Sequence, residues 1–414
     1  MHTLISCVGD SDPIRNHFDG PLLHIARVHR PNKIVLIHTE RSYQKHEEIV
    51  TALQAIPNYT PEISVDSTII KNNEVFLFDR MFEVLSSIIQ KYYQTEEEIL
   101  LNLTSATPQI ISAMFSINRI SGLNVKAYQV VTPSRSSNEG ISHDSQKDIY
   151  SLIESNKDNQ VTFEDRTIQD QGEKFNKTLL KKSMAELIQQ FDYDGTYELL
   201  IKNNISSKKK RAKMTNRLES ILYSVKYQKL LPDIENLPNP LDEKILLNGF
   251  LLIQLQAKRQ LTSEVLIRSK NLAEFAVEYY LKTTYPGVVH WKNGLPKLNL
   301  TGNEGLFEFL KEEAKLSSNS FSEDRTLSLP IYVNILRYLN ENSSLIRPLN
   351  AVNGINPLRN RVAHGFKEIN SKEVKLNRIV NDCWHLMNEV VSVEQKWFDF
   401  FEKTNQELLD ILNS

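Results

Sequence analysis

The sequence predicts two folds in one chain, an α/β domain built on a mainly parallel sheet and then an all-α domain. Three observations carry this. Short apolar runs alternate with helical patterns up to about residue 150. Strand signals fade after about residue 170 and helical spacing takes over. The chain has 414 residues, 40% of them apolar and 24% charged, which is enough to bury two cores.

The elements of the first half follow in order. Thr3–Val8 is a strand ending at Gly9, Pro21–Val28 a helix, and Lys33–His38 a continuous apolar strand ending at Thr39. Tyr43–Ile56 is helical, Pro61–Val65 a weak strand and Val75–Tyr93 a long helix. Glu98–Leu103 is a buried strand, Gln109–Ile120 a helix, and Val125–Val131 closes the series. Strands that alternate with helices make βαβ units, so this half is Rossmann-like. Ser136–Asp158 is polar and loop-like and reads as a seam. We place the domains at residues 1–165 and 166–414, the second including connector helices.

The second half reads as helices over Thr178–Phe191, Tyr197–Asn203, Ala212–Leu230, Asp242–Ala257, Ser263–Tyr280, Leu306–Ala314 and Pro330–Leu339. Pro232–Pro240 breaks the series, and Trp291–Leu300 reads as an ordered loop. Helical spacing resumes over Ser371–Leu412, with Ser371 as a plausible N-cap.

Composition narrows the function. A formal net charge of −2 gives no global basic field, so any nucleic-acid binding rests on local patches. Cys7 and Cys383 lie in different halves, which suggests neither a disulfide framework nor a Cys-rich zinc site and fits a reducing cytoplasm. No apolar run approaches the roughly 18 residues of a membrane helix, and no signal peptide is evident.

Two groups of residues carry candidate chemistry. In parallel sheets, ligands bind at the carboxyl ends of the strands. Three such ends carry small polar residues: Gly9-Asp10-Ser11-Asp12, Thr39-Glu40, and Thr104-Ser105-Ala106-Thr107-Pro108-Gln109. The last runs into a helix, with Thr107 as cap and Pro108 as first helical residue, and N–H groups at such a start suit a phosphodiester. Helix capping alone explains the same residues. Neither a dinucleotide fingerprint nor a P-loop is present. Asp10 and Asp12 would repel a phosphate, so sugar hydroxyls, base edges or capping suit them better.

The second group is Arg359, Asn360 and His364, between Asn356-Pro357 and Gly365. An arginine neutralises a phosphate and a histidine moves a proton near neutral pH, a minimal kit for cutting RNA without a metal. Arg41/His46 and Arg378/His385 match the same loose pattern, but read as a solvated face and a salt-bridged helix. Asn356 as cap and Pro357 in the first turn single out the third match. Five positions on a regular helix means about 140° of rotation, which places Arg359 and His364 on different faces. Convergence then needs an irregular helix start or a second copy. A capped helix with a surface histidine is the alternative reading.

The two halves together resemble the CARF–HEPN ribonucleases of type III CRISPR systems, in the Csm branch. The specific element is R-N-x-x-x-H at Arg359–His364, supported by the strand-end loops at Gly9–Asp12 and Thr104–Gln109. Ser105-Ala106 stands where many CARF domains carry two glycines. The resemblance implies an N-terminal CARF sensor and a C-terminal HEPN nuclease. It implies a homodimer, without stable association with the type III effector complex, in which paired Arg and His residues cut single-stranded RNA. The 2′-OH attacks without a metal, leaving a 2′,3′-cyclic phosphate. His364 acts in proton transfer or orients the 2′-OH and phosphate, Arg359 stabilises phosphorane charge and Asn360 positions these groups. The activator is a cyclic oligoadenylate, cyclic hexaadenylate in preference to cyclic tetraadenylate, held by Gly9, Asp10, Ser11, Asp12, Thr39, Thr104, Ser105, Ala106, Thr107 and Gln109. Slow cleavage of that ring by the CARF domain is a further implied activity. The competing readings are a non-catalytic nucleotide sensor and a toxin-like RNase without an activator. Lys208–Arg211 is a solvated turn or an RNA patch, and Arg337, Arg347 and Arg361 are candidates to line an RNA groove.

Overall fold

The computed structural model describes residues 2–93, 98–133, 148–203, 207–316, 320–365, 368–370 and 373–414. The chain divides into two compact units, the first running through Asn176 and the second Lys177–Ser414.

The first unit holds strands β1 (His2–Cys7), β2 (Ile14–Arg15), β3 (Phe18–Asp19), β4 (Lys33–Ile37), β5 (Glu62–Val65), β6 (Glu98–Asn102), β7 (Val125–Val130) and β8 (Thr167–Gln169). Its helices are α1 (Pro21–His29), α2 (His46–Gln54), α3 (Phe78–Tyr92), α4 (Pro108–Ile120) and α5 (Ile149–Glu154). Six strands form one sheet in the order β5-β4-β1-β6-β7-β8, and β2 pairs with β3 in a small hairpin. Pairing is parallel from β5 to β7, and β8 closes the edge antiparallel to β7.

The apolar strands read as continuous runs because both faces are covered. Successive side chains point to opposite faces. Leu4, Ile34, Leu36 and Leu100 therefore pack with Leu22, Ile25 and Leu53 of α1 and α2. Ile5, Val35, Ile37 and Leu101 pack with Leu85, Ile89, Ile110 and Met114 of α3 and α4. Strand order reverses between β1 and β6, so the crevice at their carboxyl ends is the switch point where α/β sheets take ligands.

The second unit is helical. It follows α6 (Glu173–Gln189) with α7 (Tyr193–Lys202), α8 (Lys208–Tyr227), α9 (Pro232–Glu235), α10 (Leu241–Lys258) and α11 (Thr262–Thr284). A hairpin of β9 (Val289–Lys292) and β10 (Leu295–Leu298) precedes α12 (Glu304–Leu316), α13 (Leu329–Leu339), α14 (Ile346–Asn353), α15 (Asn356–Gly365), α16 (Leu376–Val390) and α17 (Phe400–Asn413). Leu246, Leu247 and every residue from Phe250 to Ala257 are buried, so α10 is covered on nearly all sides and is the central helix of this unit. It packs on α11 and α16, and α11 in turn carries α13, α14 and α15.

Several expectations are corrected. The ordered loop at Trp291–Leu300 holds most of the β9–β10 hairpin, turned by Asn293 and Gly294 at φ +53° and +75°. Positive φ at both turn residues is the type I′ signature. The polar seam contains α5, capped by Asp148, whose carboxylate accepts from the N–H of Tyr150 and Ser151. The β2–β3 hairpin, β8, α9 and α14 are additional elements. The run over Ser371–Leu412 resolves into α16, a short 3₁₀ turn at Gln395–Trp397 and α17. The Ser371 cap lies outside the described residues. Among the described residues, no helix is long and apolar enough to cross a membrane.

Candidate functional site

The loops after β1 and β6 meet at the switch point. A Cβ on Gly9 would stand 2.8 Å from the Ala106 amide nitrogen, so the two loops touch only because residue 9 is glycine. Asp12 is buried, accepting from Gly9 N at 2.9 Å and from Leu22 N at 3.0 Å. It thereby caps α1, whose own N-cap is Gly20. Burial pushes the Asp12 carboxyl above the usual range, although the N–H groups of Gly9 and Leu22 and the Ser105 hydroxyl favour its charge. Asp10 is exposed and pairs with Arg41 at 3.2 Å. Thr39 begins the turn into α2, its amide donating to Ser42 Oγ at 2.9 Å.

Buried Asn102 organises the β6 loop. Its amide donates to Ser6 Oγ at 2.9 Å and Ser105 Oγ at 3.0 Å, and its carbonyl accepts from Thr104 N at 2.9 Å. Thr104 Oγ1 accepts from Val130 N at 2.8 Å. Ala106 takes φ +111°, a conformation rare for a residue with a Cβ. Thr107 is the N-cap of α4 with Pro108 in its first turn, as expected, and its hydroxyl also donates to Val75 O at 3.2 Å. Gln109 is partly exposed on that turn.

A cleft of roughly 280 Å³ opens beside these loops, lined by Ser11, Arg15, Asn16, Thr104, Val130 and Arg166 among others. Arg15, Asn16 and Arg166 were not singled out from the sequence. Arg166 is buried: its guanidinium binds Asp158 at 2.7 Å and Val131 O at 3.0 Å, while its Nε has no partner among the described residues. Asp19 pairs with Arg27 through two bonds of 2.5 and 3.0 Å and accepts from Asn156 at 2.6 Å. Asp19, His24 and Asp158 are close enough to ligate a cation. Two guanidiniums already neutralise these carboxylates, so the set reads as a buried salt-bridge cluster. Burial works against the charge on Asp158, but His24, the Asp19 N–H and Arg166 outweigh it and hold its carboxyl below the usual range.

In the second unit, α15 presents the Arg–His motif. Ile355, Leu358 and Val362 recur at helical spacing and pack on the core. That leaves Asn360 and His364 exposed and Arg359 partly so. Asn356 is not the cap. The Ile355 carbonyl accepts from Arg359 N at 2.9 Å, and the Asn356 side chain bonds Asn353 instead.

The angular objection to this motif fails. Arg359 Nη1 stands 3.1 Å from His364 Nε2 and 3.1 Å from Asn360 Oδ1, all within one regular helix. The long guanidinium stem spans the angle that Cα positions alone leave open. A guanidinium only donates, so His364 Nε2 accepts, which puts the ring hydrogen on Nδ1. Arg361 is engaged elsewhere, with Glu373 at 2.8 Å and Glu368 O at 2.7 Å. The two other pattern matches do not build this contact. Arg41 pairs with Asp10, while His46 bonds buried His38 at 3.3 Å rather than facing solvent alone. Arg378 pairs with Asp382 at 3.9 Å, leaving His385 exposed.

Comparison with known proteins converges on one family. Residues 63–167 match the family model of the Cas_Csm6 CARF domain, and residues 236–409 that of the Cas_Csm6 HEPN domain. Two Streptococcus thermophilus proteins, the CRISPR system endoribonucleases Csm6 and Csm6′, are each 38% identical to the chain, with full coverage of both partners. The solved structure of Enterococcus italicus Csm6 bound to cyclic hexa-2′-fluoro-hexa-dAMP superposes with a TM-score of 0.73 at 25% identity, covering 99% of this chain and 100% of that one. The chain, with its CARF and helical HEPN domains, belongs to the Csm6 family of CRISPR endoribonucleases.

Proposed function

We propose that the chain is a metal-independent endoribonuclease of type III CRISPR defence, acting in the cytoplasm on single-stranded RNA and switched on by a cyclic oligoadenylate. The observation that carries the nuclease reading is the contact between Arg359 and His364 on the open face of α15. In the free state the guanidinium covers the His364 Nε2 lone pair. A scissile phosphate is the better partner for that guanidinium. Its arrival draws Arg359 away and frees the imidazole as a base.

The RNA 2′-OH then loses its proton to His364, and its oxygen attacks phosphorus. Arg359 holds the charge gathering on the phosphorane, and Asn360 keeps the guanidinium oriented. The bond to the 5′-oxygen breaks, leaving a 2′,3′-cyclic phosphate and a 5′-hydroxyl. One histidine cannot take the first proton and deliver the second at the same time. A homodimer supplies the second, so we read α15 as half of a shared cleft.

The activator belongs at the β1/β6 switch point. Gly9, Ser11, Thr39, Thr104, Ala106, Thr107 and Gln109 are the candidates to meet it. Asp12 and Ser105 act from beneath, by holding the loops. The Enterococcus relative is a complex with a six-membered ring, which favours cyclic hexaadenylate over cyclic tetraadenylate. The deciding assay mixes purified protein, fluorescent single-stranded RNA and EDTA with each ring. Ring-stimulated cleavage by wild type, lost in Arg359→Ala/His364→Ala, is expected. No stimulation, or equal cleavage by the double variant, removes the reading.

A further inference from the structure

We propose that the outer face of α8 is a track for single-stranded RNA, with phosphates at its N-terminal end and stacked bases at its C-terminal end. The inference rests on the nuclease reading for the identity of its polyanion. Lys209, Lys213, Asn216, Ser220, Tyr223 and Tyr227 are spaced by four, three, four, three and four residues. At 100° per residue they lie within about 40° of a common line and run about 27 Å along the helix. All are exposed except Ser220, which is partly so. The opposite face carries Met214, Leu218, Ile221 and Leu222, which anchor the helix in the core.

Charge placement favours this face. Further along α8, the cations that point elsewhere are engaged: Arg217 binds Asp233 at 2.5 Å, Lys226 binds Asp194 at 3.0 Å, and Arg211 binds Ile201 O at 2.7 Å, while Lys208 and Lys210 flank the line of the track at its first turn. Lys209 and Lys213 take no ion pair among the described residues. The one acid of the helix, Glu219, lies beside the track and accepts from Tyr197 at 2.7 Å. Four consecutive cations, Lys208 to Arg211, open the helix at its positive end. Each cation there costs about 0.3–1 kcal/mol, and the like-charged i,i+4 pair Lys209/Lys213 adds to the strain. A polyanion along the face relieves all of it.

The aromatic end has matching chemistry. Tyr223 and Tyr227 are 52% and 66% exposed, with ring centroids 5.5 Å apart and Lys229 Nζ 5.6 Å from the Tyr223 centroid. Cations that follow a backbone and aromatic rings that stack on its bases are how single strands are held without sequence choice. Between them, Asn216 and Ser220 offer hydrogen-bonding groups and no negative charge.

The test uses a fluorescent 20-mer of 2′-O-methyl RNA, which cannot be cut, with anisotropy read over a salt series and no ring added. Lys209→Glu/Lys213→Glu should weaken binding ten-fold or more and make the log Kd against log salt slope shallower by about 1.4, or 0.7 for each of two phosphates. Tyr223→Ala/Tyr227→Ala should weaken binding about five-fold or more and leave the slope unchanged. Lys311→Glu/Lys315→Glu, an equal charge change on α12, should leave binding near wild type. Unchanged affinity in either α8 variant, or an equal loss in the α12 variant, overturns the track. So does weakened binding to phosphatidylglycerol vesicles with RNA affinity intact, which would assign the face to a lipid surface. Ring-stimulated cleavage of the same 20-mer without 2′-O-methyl groups is measured in parallel. If wild type itself cuts nothing, the nuclease reading fails, while the binding series still decides the track.

Discussion

The strand-end loops of the first unit and the Arg–His motif of the second are held in opposite ways. Around β1 and β6 the polar groups are buried and bound to one another: Asp12 to two amides, Asn102 to two hydroxyls and an amide, Asp19 and Asp158 to two guanidiniums. On α15 Asn360 and His364 are exposed and Arg359 is partly so, finding its partners on its own helix. Buried networks fix one geometry because each unmade bond is costly. An exposed pair can exchange partners at little cost. The first arrangement suits a preformed ligand seat, the second a site that is completed on demand.

The sharpest way to break this contrast is at α15. His364→Ala should lower ring-stimulated RNA cleavage by roughly 10²–10⁴-fold, the usual worth of a positioned acid or base. Folding should be unaffected, because nothing in the core rests on His364. Arg359→Lys should recover only a small part of the Arg359→Ala loss, since an ammonium lacks the planar fork. A cleavage assay beside a thermal melt checks both. A melting shift as large as the activity loss would make α15 a structural element after all.

The opposite pattern is expected beneath the cleft. Asp158→Ala leaves Arg166 buried without its anion and strips the Asp19 N–H of its acceptor. Removing one partner of a buried pair costs about 3–5 kcal/mol. The first unit should therefore melt well below wild type, while α10 and α11 keep their amide protection in hydrogen exchange. Equal loss of protection in both units would contradict two independently built cores.

How much of this was legible follows from the same contrast. β1, β4 and β6 were readable because burial on both faces leaves an unbroken apolar run. β8 was not, since Thr167–Gln169 is three residues long and is held by its pairing with β7 rather than by its own pattern. The β9–β10 hairpin carried its signal in Asn293-Gly294, but short flanks without clear alternation masked it. The buried cluster was illegible because Asp19 meets Asn156 and Asp158 across 137 and 139 positions, and nothing local marks either end. The α15 motif was found by its residues and misjudged in its geometry. Counting degrees around a helix ignores the reach of an arginine.

A pH effect separates the units further. His38 is buried, bonded to Ser42 and His46, and burial with the nearby His46 pulls its pKa from 6.5 to about 4. The folded state then binds fewer protons than the unfolded chain between those values. Its contribution is complete above about pH 6.5 and is lost as pH falls toward 4, on the order of 3 kcal/mol across that window. His38→Gln should flatten this part of the stability profile of the first unit. Melts at pH 7 and pH 5, wild type against variant, measure it. An unchanged slope would mean that other groups carry the acid sensitivity.

The smallest effect tests the reading left open from the start, whether Thr107 caps a helix or holds a ligand. Its hydroxyl accepts weakly from Ile110 N at 3.5 Å and donates to Val75 O. Thr107→Ala should cost about 1 kcal/mol, visible as faster amide exchange in the first turn of α4. Thr107→Ser keeps the hydroxyl and should restore protection. If Thr107 only caps, the ring concentration for half-maximal cleavage stays near wild type in both variants. If it also meets the ring, that concentration rises in Thr107→Ala and recovers in Thr107→Ser. The cap is already built in the free protein, so only the second result adds Thr107 to the ligand seat rather than to its foundation.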